Sequence, residues 1–296
     1  MKKGFPEALV PVDFSETSDR LIEWLPTTKQ LGVSKVYLFH VIEEVKFEHP
    51  AAGYMIDEHI KQELKEAAEK LGKYKQDLEE RKFATVEICD IYAGDPAHLI
   101  AKAADQFKVD LIIMGSSGKG WFKELIVGST TRKVLRLASK PVLIVESNEP
   151  MPTKLETILG AIEVRAGEEL DLEIGKLVDY MARTALAVEE ATNTVPELIF
   201  LVINPERQKA GTVDRKMLRR NIAKLLNEKI GMNGFEHEVL FWVGSPVDEI
   251  VNAVLAFSAD LLILSPHIKG EGKLLHPGSL AKELMKHLSV PILVYK

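Results

Sequence analysis

The residues best suited to chemistry in this sequence are the glycines and hydroxyl side chains between Gly115 and Thr131. The segment reads GSSGKGWFKELIVGSTT, follows the apolar run Leu111–Met114 and precedes a run with helical spacing. Glycine lets a backbone turn sharply and approach a ligand closely. The unpaired N–H groups and the positive dipole end of a helix beginning near Ser129 favour a phosphate.

Side chains add donors and positive charge to this segment: Ser129, Thr130, Thr131, Lys119, Lys123 and Arg132. The spacing GxxxxGK[ST] of a Walker A loop occurs nowhere in the chain. The dinucleotide fingerprint GxGxxG is also absent, because from Gly118 it needs a glycine at Lys123. The pattern therefore indicates an anion-binding loop outside these two classes.

Short apolar runs that alternate with amphipathic runs must position this loop. The expected strands are Ala8–Val12, Val36–Val41, Ala84–Tyr92, Leu111–Met114 and Val142–Val145. The expected helical runs are Phe14–Gly32, Asp57–Arg81, Pro96–Phe107 and Ser129–Leu137. Such alternation predicts an α/β, doubly wound (Rossmann-like) domain with a mostly parallel sheet of five strands and helices on both faces. Ligands of these sheets bind beyond the carboxyl ends of the strands.

The pattern returns in the second half, so we expect two tandem domains. An offset of 150 residues pairs Gly94 with Gly244, Pro96 with Pro246, Gly128-Ser129 with Gly278-Ser279, Pro141 with Pro291 and Asp13 with Glu163. About twelve extra residues are needed to align Val36–Val41 with Ile199–Asn204. The polar stretch Glu146–Glu156 is the expected linker. The predicted domains are 1–148 and 153–296.

The glycine spacing Gly115-x2-Gly118-x9-Gly128-Ser129 resembles the ATP-binding signature of the universal stress protein family. Three further segments are similar to that family: Val10–Ser18 (VPVDFSETS), Tyr92–Ile100 (YAGDPAHLI) and Ser139–Val145 (SKPVLIV). The resemblance covers essentially residues 6 to 146, and the second half is similar more loosely. It implies an ATP-binding first domain.

Carried over residue by residue, the resemblance implies a complete nucleotide site. Asp13 with Pro11 and Val12 would lie against the adenine and ribose, and the backbone of Val41 would bind the adenine edge. The ribose and phosphates would be wrapped by Gly115, Ser116, Ser117, Gly118, Lys119, Gly120 and Trp121, and Met114 directly before them belongs to the same binding set. The phosphates would be capped at Gly128, Ser129, Thr130 and Thr131. The ligand would be ATP, ADP or AMP, with Mg²⁺ or Mn²⁺ held by phosphate oxygens and by no protein ligand.

Several residues near the expected site also have simpler structural interpretations. Ser15 is expected to cap the first helix rather than contact a ligand, and Asp13 could serve the same cap. His40, in an apolar strand, is expected to be a hydrogen-bonded, half-buried residue rather than a base. Cys89 is expected to be a small buried side chain.

The second copy departs from the signature. Gly115 becomes Ser265, Gly118 becomes Ile268 and Thr130 becomes Leu280. Because a side chain at the close-approach position crowds a phosphate, we expect this copy not to bind ATP in the usual manner. His267 and His276 have no third partner at fixed spacing, so a metal site is not expected there.

Composition limits the alternatives. A net charge of -6 argues against a nucleic-acid binder. No apolar run is long enough for a membrane span, and the first residues lack the pattern of a signal peptide, so a cytoplasmic protein is expected.

Three hypotheses follow. The first is a regulatory module of stress response in which ATP occupancy changes segments 115–131 and 42–60 and an unidentified protein partner reads the change. The second is a slow ATP hydrolase, for which no nucleophile and base can be assembled from sequence. The third is a nucleotide-independent scaffold, in which the last strands of the two domains, PVLIV and PILVY, pair antiparallel as an intrachain pseudo-dimer, or the protein forms a homodimer.

Overall fold

The computed structural model describes residues 3–43, 53–116, 128–145, 150–164, 170–204, 214–230, 235–265 and 277–296. In the first half the elements are β1 (Glu7–Pro11), α1 (Glu16–Trp24), a 3₁₀ helix (Leu25–Leu31), β2 (Lys35–Phe39), β3 (Val41–Glu43), α2 (Gly53–Glu80), β4 (Thr85–Ile88), β5 (Tyr92–Gly94), α3 (Pro96–Gln106), β6 (Leu111–Gly115), α4 (Ser129–Leu137) and β7 (Val142–Val145). In the second half they are β8 (Thr157–Glu163), α5 (Leu170–Thr192), β9 (Glu197–Asn204), α6 (Arg215–Ile230), β10 (His237–Val243), α7 (Pro246–Phe257), β11 (Leu261–Leu264), α8 (Pro277–Leu284) and β12 (Ile292–Val294).

One ten-stranded sheet runs through both domains in the order β10-β9-β8-β11-β12-β7-β6-β1-β2-β4. Each half is five-stranded and parallel, and its middle strand, β1 or β8, is the first of its domain. The predicted α/β class, the doubly wound architecture and the tandem repeat are therefore confirmed. A small separate sheet pairs β3 with β5 in the first domain.

The two domains join through their last strands, as the scaffold hypothesis expects. β12 pairs antiparallel with β7, so that Leu293 lies opposite Leu143. On one face of this junction α4 packs against α8, and on the other α5 packs against the 3₁₀ helix. Arg183 of α5 contacts the Gly4 carbonyl oxygen and pairs with Asp110 at 3.4 Å. The junction is therefore held by sheet pairing, helix packing and a half-buried ion pair.

Apolar side chains fill both faces of the sheet, because its central strands are buried on both sides. One core lies under α1, α2, α5 and α6 and includes Leu21, Leu71 and Leu177. The other lies under α3, α4, α7 and α8 and includes Ile100, Val134 and Leu284. Among the helices of the described ranges, none is long and apolar enough to cross a membrane.

The structure differs from the sequence expectations in two local respects. The run Ala84–Tyr92 is not one strand: it ends as β4 at Ile88, and Tyr92 begins β5, which pairs with β3 in the separate sheet. The run Phe14–Gly32 begins as an α-helix and changes to a 3₁₀ helix at Leu25, one residue before Pro26. It does end at Gly32, whose φ of 77° glycine adopts without strain.

The sheet register also corrects one detail of the repeat. Pro11 pairs with Phe39, and its counterpart Ala161 pairs with Leu201, so β2 and β9 are offset by 162 residues. The second copy therefore carries the expected twelve extra residues, but Val36 corresponds to Leu198 rather than to Ile199. Apolar residue types alone cannot distinguish the two alignments, because both strands are apolar on both faces.

Candidate functional site

The candidate site lies where β1 and β6 end side by side. After β1 the chain enters α1 on one face of the sheet, and after β6 it reaches α4 on the opposite face. Such a switch point opens a crevice beyond the carboxyl ends of the two strands, and ligands of doubly wound sheets bind there. Pro11 and Gly115, the last residues of these strands, are both in the set predicted from sequence.

Asp13 follows β1 and is fixed by the start of α1. Its Oδ1 accepts hydrogen bonds from the Ser15 N–H at 3.1 Å, the Ser15 hydroxyl at 2.6 Å and the Ser18 hydroxyl at 2.8 Å. The Ser15 hydroxyl in turn accepts from the Ser18 N–H, which makes Ser15 the N-cap of α1, as expected. All these bonds converge on Oδ1, so among the described residues Oδ2 of Asp13 has no hydrogen-bond partner.

The backbone near Val12 and Val41 is held by neighbouring strands. The Val12 N–H donates to the Phe39 carbonyl, and the Val12 carbonyl lies 2.7 Å from Nδ1 of His40. His40 is thus hydrogen-bonded and half-buried. Val41 begins β3 and pairs with Tyr92, which leaves its side chain partly exposed at the edge of the crevice. Val12 itself is buried, so it could offer a ligand little more than backbone.

Gly115 leaves room for the side chain of Thr17 on α1. A Cβ at this position would lie 2.4 Å from the Cγ2 methyl of Thr17 on α1. The glycine therefore allows the first turn of α1, with the Asp13 network, to lie against the end of β6. Met114, which precedes it, is buried in the core beneath α3 and α4 and is not exposed to the crevice.

Ser116 and Gly128 bring the beginning of α4 to the end of β6. The Ser116 carbonyl accepts from the Gly128 N–H at 2.7 Å, and the Ser116 N–H donates to the Val145 carbonyl at 2.9 Å. The Ser116 hydroxyl is fully buried and has no hydrogen-bond partner in the described structure. A buried hydroxyl without a partner costs free energy, so it is a natural donor to a bound anion.

The N-terminus of α4 has no side-chain cap. Gly128 is its N-cap residue and cannot supply one, and among the described residues no acceptor bonds to the first amides of the helix. The Thr131 hydroxyl donates to the Gly115 carbonyl at 3.1 Å and is buried. Of the three hydroxyl residues predicted as phosphate caps, Thr131 therefore offers only its amide, whereas Ser129 and Thr130 are accessible.

An exposed salt bridge links α3 and α4. Asp95 caps α3 by accepting from the amides of Ala97 and His98, and its other oxygen lies 3.1 Å from Nζ of Lys133 on α4. The His98 amide and the Lys133 ammonium hold the pKa of the Asp95 carboxyl below its ordinary value. The pair joins the two helices that cover this side of the crevice. Sequence reasoning missed it, although Asp95-Pro96 is a recognisable helix start.

Five of the predicted site residues, Ser117, Gly118, Lys119, Gly120 and Trp121, lie outside the described residues, as do residues 44–52 of the predicted cover 42–60. Cys89 is described and buried, as expected, and burial raises the pKa of its thiol from 9.0 to about 11. Within the described ranges, no group of three or more His, Cys, Asp or Glu side chains is arranged to hold a metal ion.

The second domain fills the corresponding crevice with side chains. Ser265 occupies the place of Gly115 at the end of β11, and its hydroxyl lies 3.3 Å from the Glu173 carboxylate of α5. Tyr295, the counterpart of Val145, is fully buried and donates from its hydroxyl to the Glu173 carbonyl at 3.4 Å. In the first domain the Thr17 methyl group lies next to Gly115. In the second domain the Glu173 carboxylate contacts the Ser265 hydroxyl.

A family model described as "Universal stress protein family" matches residues 5–146 and again 176–296. The chain belongs to the universal stress protein family. The first match includes all five strands of the first half of the sheet, and the second begins within α5 and includes four of the five strands of the second half, so this universal stress protein is a tandem one. The family resemblance noted for the glycine motif is thereby confirmed, and it extends to the second half.

Individual relatives agree with this assignment. A universal stress protein of Methanocaldococcus jannaschii is 35% identical over 160 residues, covering 49% of this chain and 98% of the relative. One of Mycolicibacterium smegmatis is 25% identical over 304 residues, covering 97% and 96% of the two chains. The solved structure of a universal stress protein from Archaeoglobus fulgidus superposes with a TM-score of 0.71 at 24% identity, covering 98% of this chain and 96% of that one. The tandem arrangement is therefore shared with full-length relatives.

Proposed function

We propose that the first domain binds an adenine nucleotide, ATP or a close relative, and that this universal stress protein signals its occupancy to a protein partner. The observation that carries the proposal is the uncapped N-terminus of α4, held against Gly115 and Ser116 at the switch point of the sheet. Free amides at a helix N-terminus attract phosphate. The buried Ser116 hydroxyl adds a donor that has no other partner among the described residues.

The residues present fit the proposed ligand. The amides at Ser129 and Thr130 suit the phosphates, and Oδ2 of Asp13, which has no hydrogen-bond partner among the described residues, suits a ribose hydroxyl. The Val41 backbone edge suits the adenine ring. A divalent ion would be held by the phosphates, since the described residues offer it no cluster of ligands.

The second domain is proposed to leave its own crevice empty of nucleotide. The Glu173 carboxylate beside Ser265 places negative charge where the first domain has only a methyl group and a glycine. Glu173 also pairs with Lys176 at 3.2 Å, but its second carboxylate oxygen faces Ser265, so a phosphate at this position would meet a carboxylate and is disfavoured. The expected stoichiometry is one nucleotide per chain.

A proline substitution tests the role of the helix amides. Gly128 has φ −62° and ψ 157°, a conformation that a residue before proline adopts readily, and proline is favoured at the first position of a helix. Ser129→Pro therefore removes one amide donor while keeping α4 intact, and Ser129→Ala is the matched control that removes only the hydroxyl. We expect Ser129→Pro to bind ATP about tenfold more weakly than Ser129→Ala in isothermal titration calorimetry, as loss of a charge-assisted hydrogen bond implies.

Two outcomes would contradict the proposal. One is a stoichiometry of the wild-type protein other than one: no bound ATP, ADP or AMP, or two bound nucleotides per chain. The other is equal ATP affinity of Ser129→Pro and Ser129→Ala, which would place the phosphates away from α4. Single-turnover hydrolysis of bound ATP then separates a binding module from a slow hydrolase. A binding module hydrolyses bound ATP no faster than ATP is hydrolysed in buffer.

A further inference from the structure

One helix connects the proposed nucleotide site with the second domain. α4 begins at Ser129, where its first amides lie at the crevice, and it ends at Leu137 after packing against α8 of the second domain. It has nine residues and is therefore about 13.5 Å long. Because so short a helix is marginal by itself, the order of one end depends on what holds the other end.

The C-terminal end of α4 lacks the common backbone cap. Helices often end with a residue in the left-handed conformation, whose amide bonds back to a carbonyl of the last turn. Here Ala138 is extended, with φ −67° and ψ 140°, and its amide donates to the Val134 carbonyl. In the part of the chain that the structure describes, no backbone amide bonds to the carbonyls of Leu135, Arg136 and Leu137. The end of the helix thus depends on a side chain.

The second domain supplies that side chain. Lys296, which follows β12, donates from its ammonium Nζ to the Leu135 carbonyl. A cation is favoured at a helix C-terminus, because the free carbonyls form the negative end of the helix dipole. The Lys296 side chain is partly buried, and this burial lowers the pKa of its ammonium. Within the described ranges no carboxylate pairs with Lys296, so α4 is the partner that the fold gives it.

The strand end that carries Lys296 is held by other contacts. Tyr295, the preceding residue, is fully buried, and its hydroxyl donates to the Glu173 carbonyl of α5 at 3.4 Å. Its ring stacks on Tyr180 of the same helix, with centroids 5.1 Å apart. Tyr180 in turn stacks on Phe5 of the first domain, with centroids 6.3 Å apart. Lys296 is therefore placed by the second domain and the junction, and α4 receives the contact.

The two domains are not equivalent in this contact. By the 150-residue offset Lys296 corresponds to Glu146, a residue type that in its ionised form accepts hydrogen bonds and cannot donate one to a carbonyl. α8 also ends differently from α4, because the amides of His287 and Leu288 both turn back to the Leu284 carbonyl. Of the two corresponding residues, only Lys296 can therefore cap the helix of the neighbouring domain.

We propose that Lys296 is a positioning residue through which the second domain raises the nucleotide affinity of the first. This inference rests on the proposed function, because it concerns the same phosphate-binding helix. Lys296 lies at the opposite end of α4 from the phosphates and does not touch the ligand. It keeps the last turn of α4 closed, so that the amides of Ser129 and Thr130 are aligned before a phosphate arrives. An ammonium at one end and a phosphate at the other then stabilise the same helix dipole.

Isothermal titration of the full-length protein with ATP tests this role. Lys296→Met removes the ammonium and keeps the apolar stem, whereas Lys296→Arg restores a charged donor. Lys286→Met is the matched control, since it removes the same charge from an exposed lysine that pairs with Glu283 of its own domain. We expect Lys296→Met to bind ATP about fivefold more weakly than wild type, at the lower end of the usual coupling between sites. Lys296→Arg and Lys286→Met should bind ATP as wild type does.

A second measurement distinguishes positioning from stability alone. Hydrogen–deuterium exchange, followed by mass spectrometry of peptides from α4, reports the order of its last turn. Without ATP, the amides of Arg136, Leu137 and Ala138 should exchange faster in Lys296→Met than in wild type. Saturating ATP should slow this exchange again, because coupling between two sites is reciprocal. Lys286→Met should show the wild-type rates.

Equal ATP affinity of Lys296→Met and Lys286→Met would overturn this proposal and leave the nucleotide site of the first domain standing. A lower urea midpoint of Lys296→Met at unchanged ATP affinity would also overturn it, because the contact would then be structural. Wild-type protein that binds no nucleotide would overturn both proposals, so the two failures are distinguishable. Circular dichroism checks the fold of each variant. If Lys296→Met does not fold, Lys296→Gln, which loses the charge and keeps an amide donor, decides by the same criteria.

Discussion

Replacement of Gly115 by alanine should destabilise the first domain through a single, identifiable contact. The new Cβ would lie 2.4 Å from Cγ2 of Thr17, which is well inside van der Waals contact, so the Thr17 side chain, or α1 and β6 with it, must shift. Introducing a methyl group into such a packed site costs about 1–3 kcal/mol. Since Gly115 does not have a positive φ, alanine itself adds no backbone strain at this position.

A second substitution locates the effect. Thr17→Ser removes the methyl group that the new Cβ would meet and keeps the hydroxyl. The double variant Gly115→Ala/Thr17→Ser should therefore recover most of the lost stability, with a coupling free energy of about 1–2 kcal/mol. Nucleotide affinity should follow the same pattern, because the first turn of α1 holds Asp13 through Ser15 and Ser18.

Urea unfolding followed by circular dichroism measures each free energy of unfolding. Gly72→Ala on α2 is the matched control, because a Cβ there meets no atom within 4 Å and alanine favours a helix by about 1 kcal/mol over glycine. The reasoning is refuted if Gly115→Ala unfolds at the wild-type midpoint, or if Thr17→Ser leaves the defect of Gly115→Ala undiminished.

Three further results are expected. Asp13→Ala leaves the donors of Ser15 and Ser18 without their acceptor and should lower the free energy of unfolding by about 1–3 kcal/mol in urea, with Ser15→Ala, which loses only a cap, costing about 1 kcal/mol. Arg183→Met removes the guanidinium that pairs with Asp110 at the domain junction, while the Glu7 N–H still donates to Asp110, and should lower the free energy of unfolding by about 1.5–3 kcal/mol; an unchanged melting temperature would show that the pair does not stabilise the junction. Burial raises the pKa of Cys89 from 9.0 to about 11, so the thiol stays protonated to a higher pH in the folded state than in the unfolded state. The stability due to this group is complete below pH 9.0 and is lost as the pH rises towards about 11. Urea midpoints of wild type and Cys89→Ala should therefore converge over that interval, and parallel pH curves would contradict the shift.

Elements marked by local residue types could be predicted from the sequence. The beginning and end of α4 and the bounds of β7 agree with expectation because a glycine, a run of hydroxyl residues and a continuous apolar run mark them. The 150-residue repeat predicted the second domain, and the last apolar strands predicted the antiparallel junction. In the candidate site, Asp13, Gly115 and Gly128 could be named because their positions follow from where strands end and helices begin.

Features that depend on distant contacts could not be predicted. The end of β4 at Ile88 follows from β5 joining β3, a pairing that apolar periodicity does not encode. The Thr131 hydroxyl was expected to face a phosphate, but the fold turns it to the Gly115 carbonyl, sixteen residues earlier. The Phe14–His40 contact and the Glu173–Ser265 contact likewise join residues whose proximity is decided only by the assembled sheet.

The antiparallel pairing of β7 with β12 has a consequence for how the protein behaves in the cell. When two separate chains meet through such strands, dilution separates them. Here one covalent chain carries both partners, so each domain experiences the other at an effective concentration on the order of millimolar, whatever the expression level. Because the second domain is always present, the first domain keeps the same neighbour at every dilution of the protein.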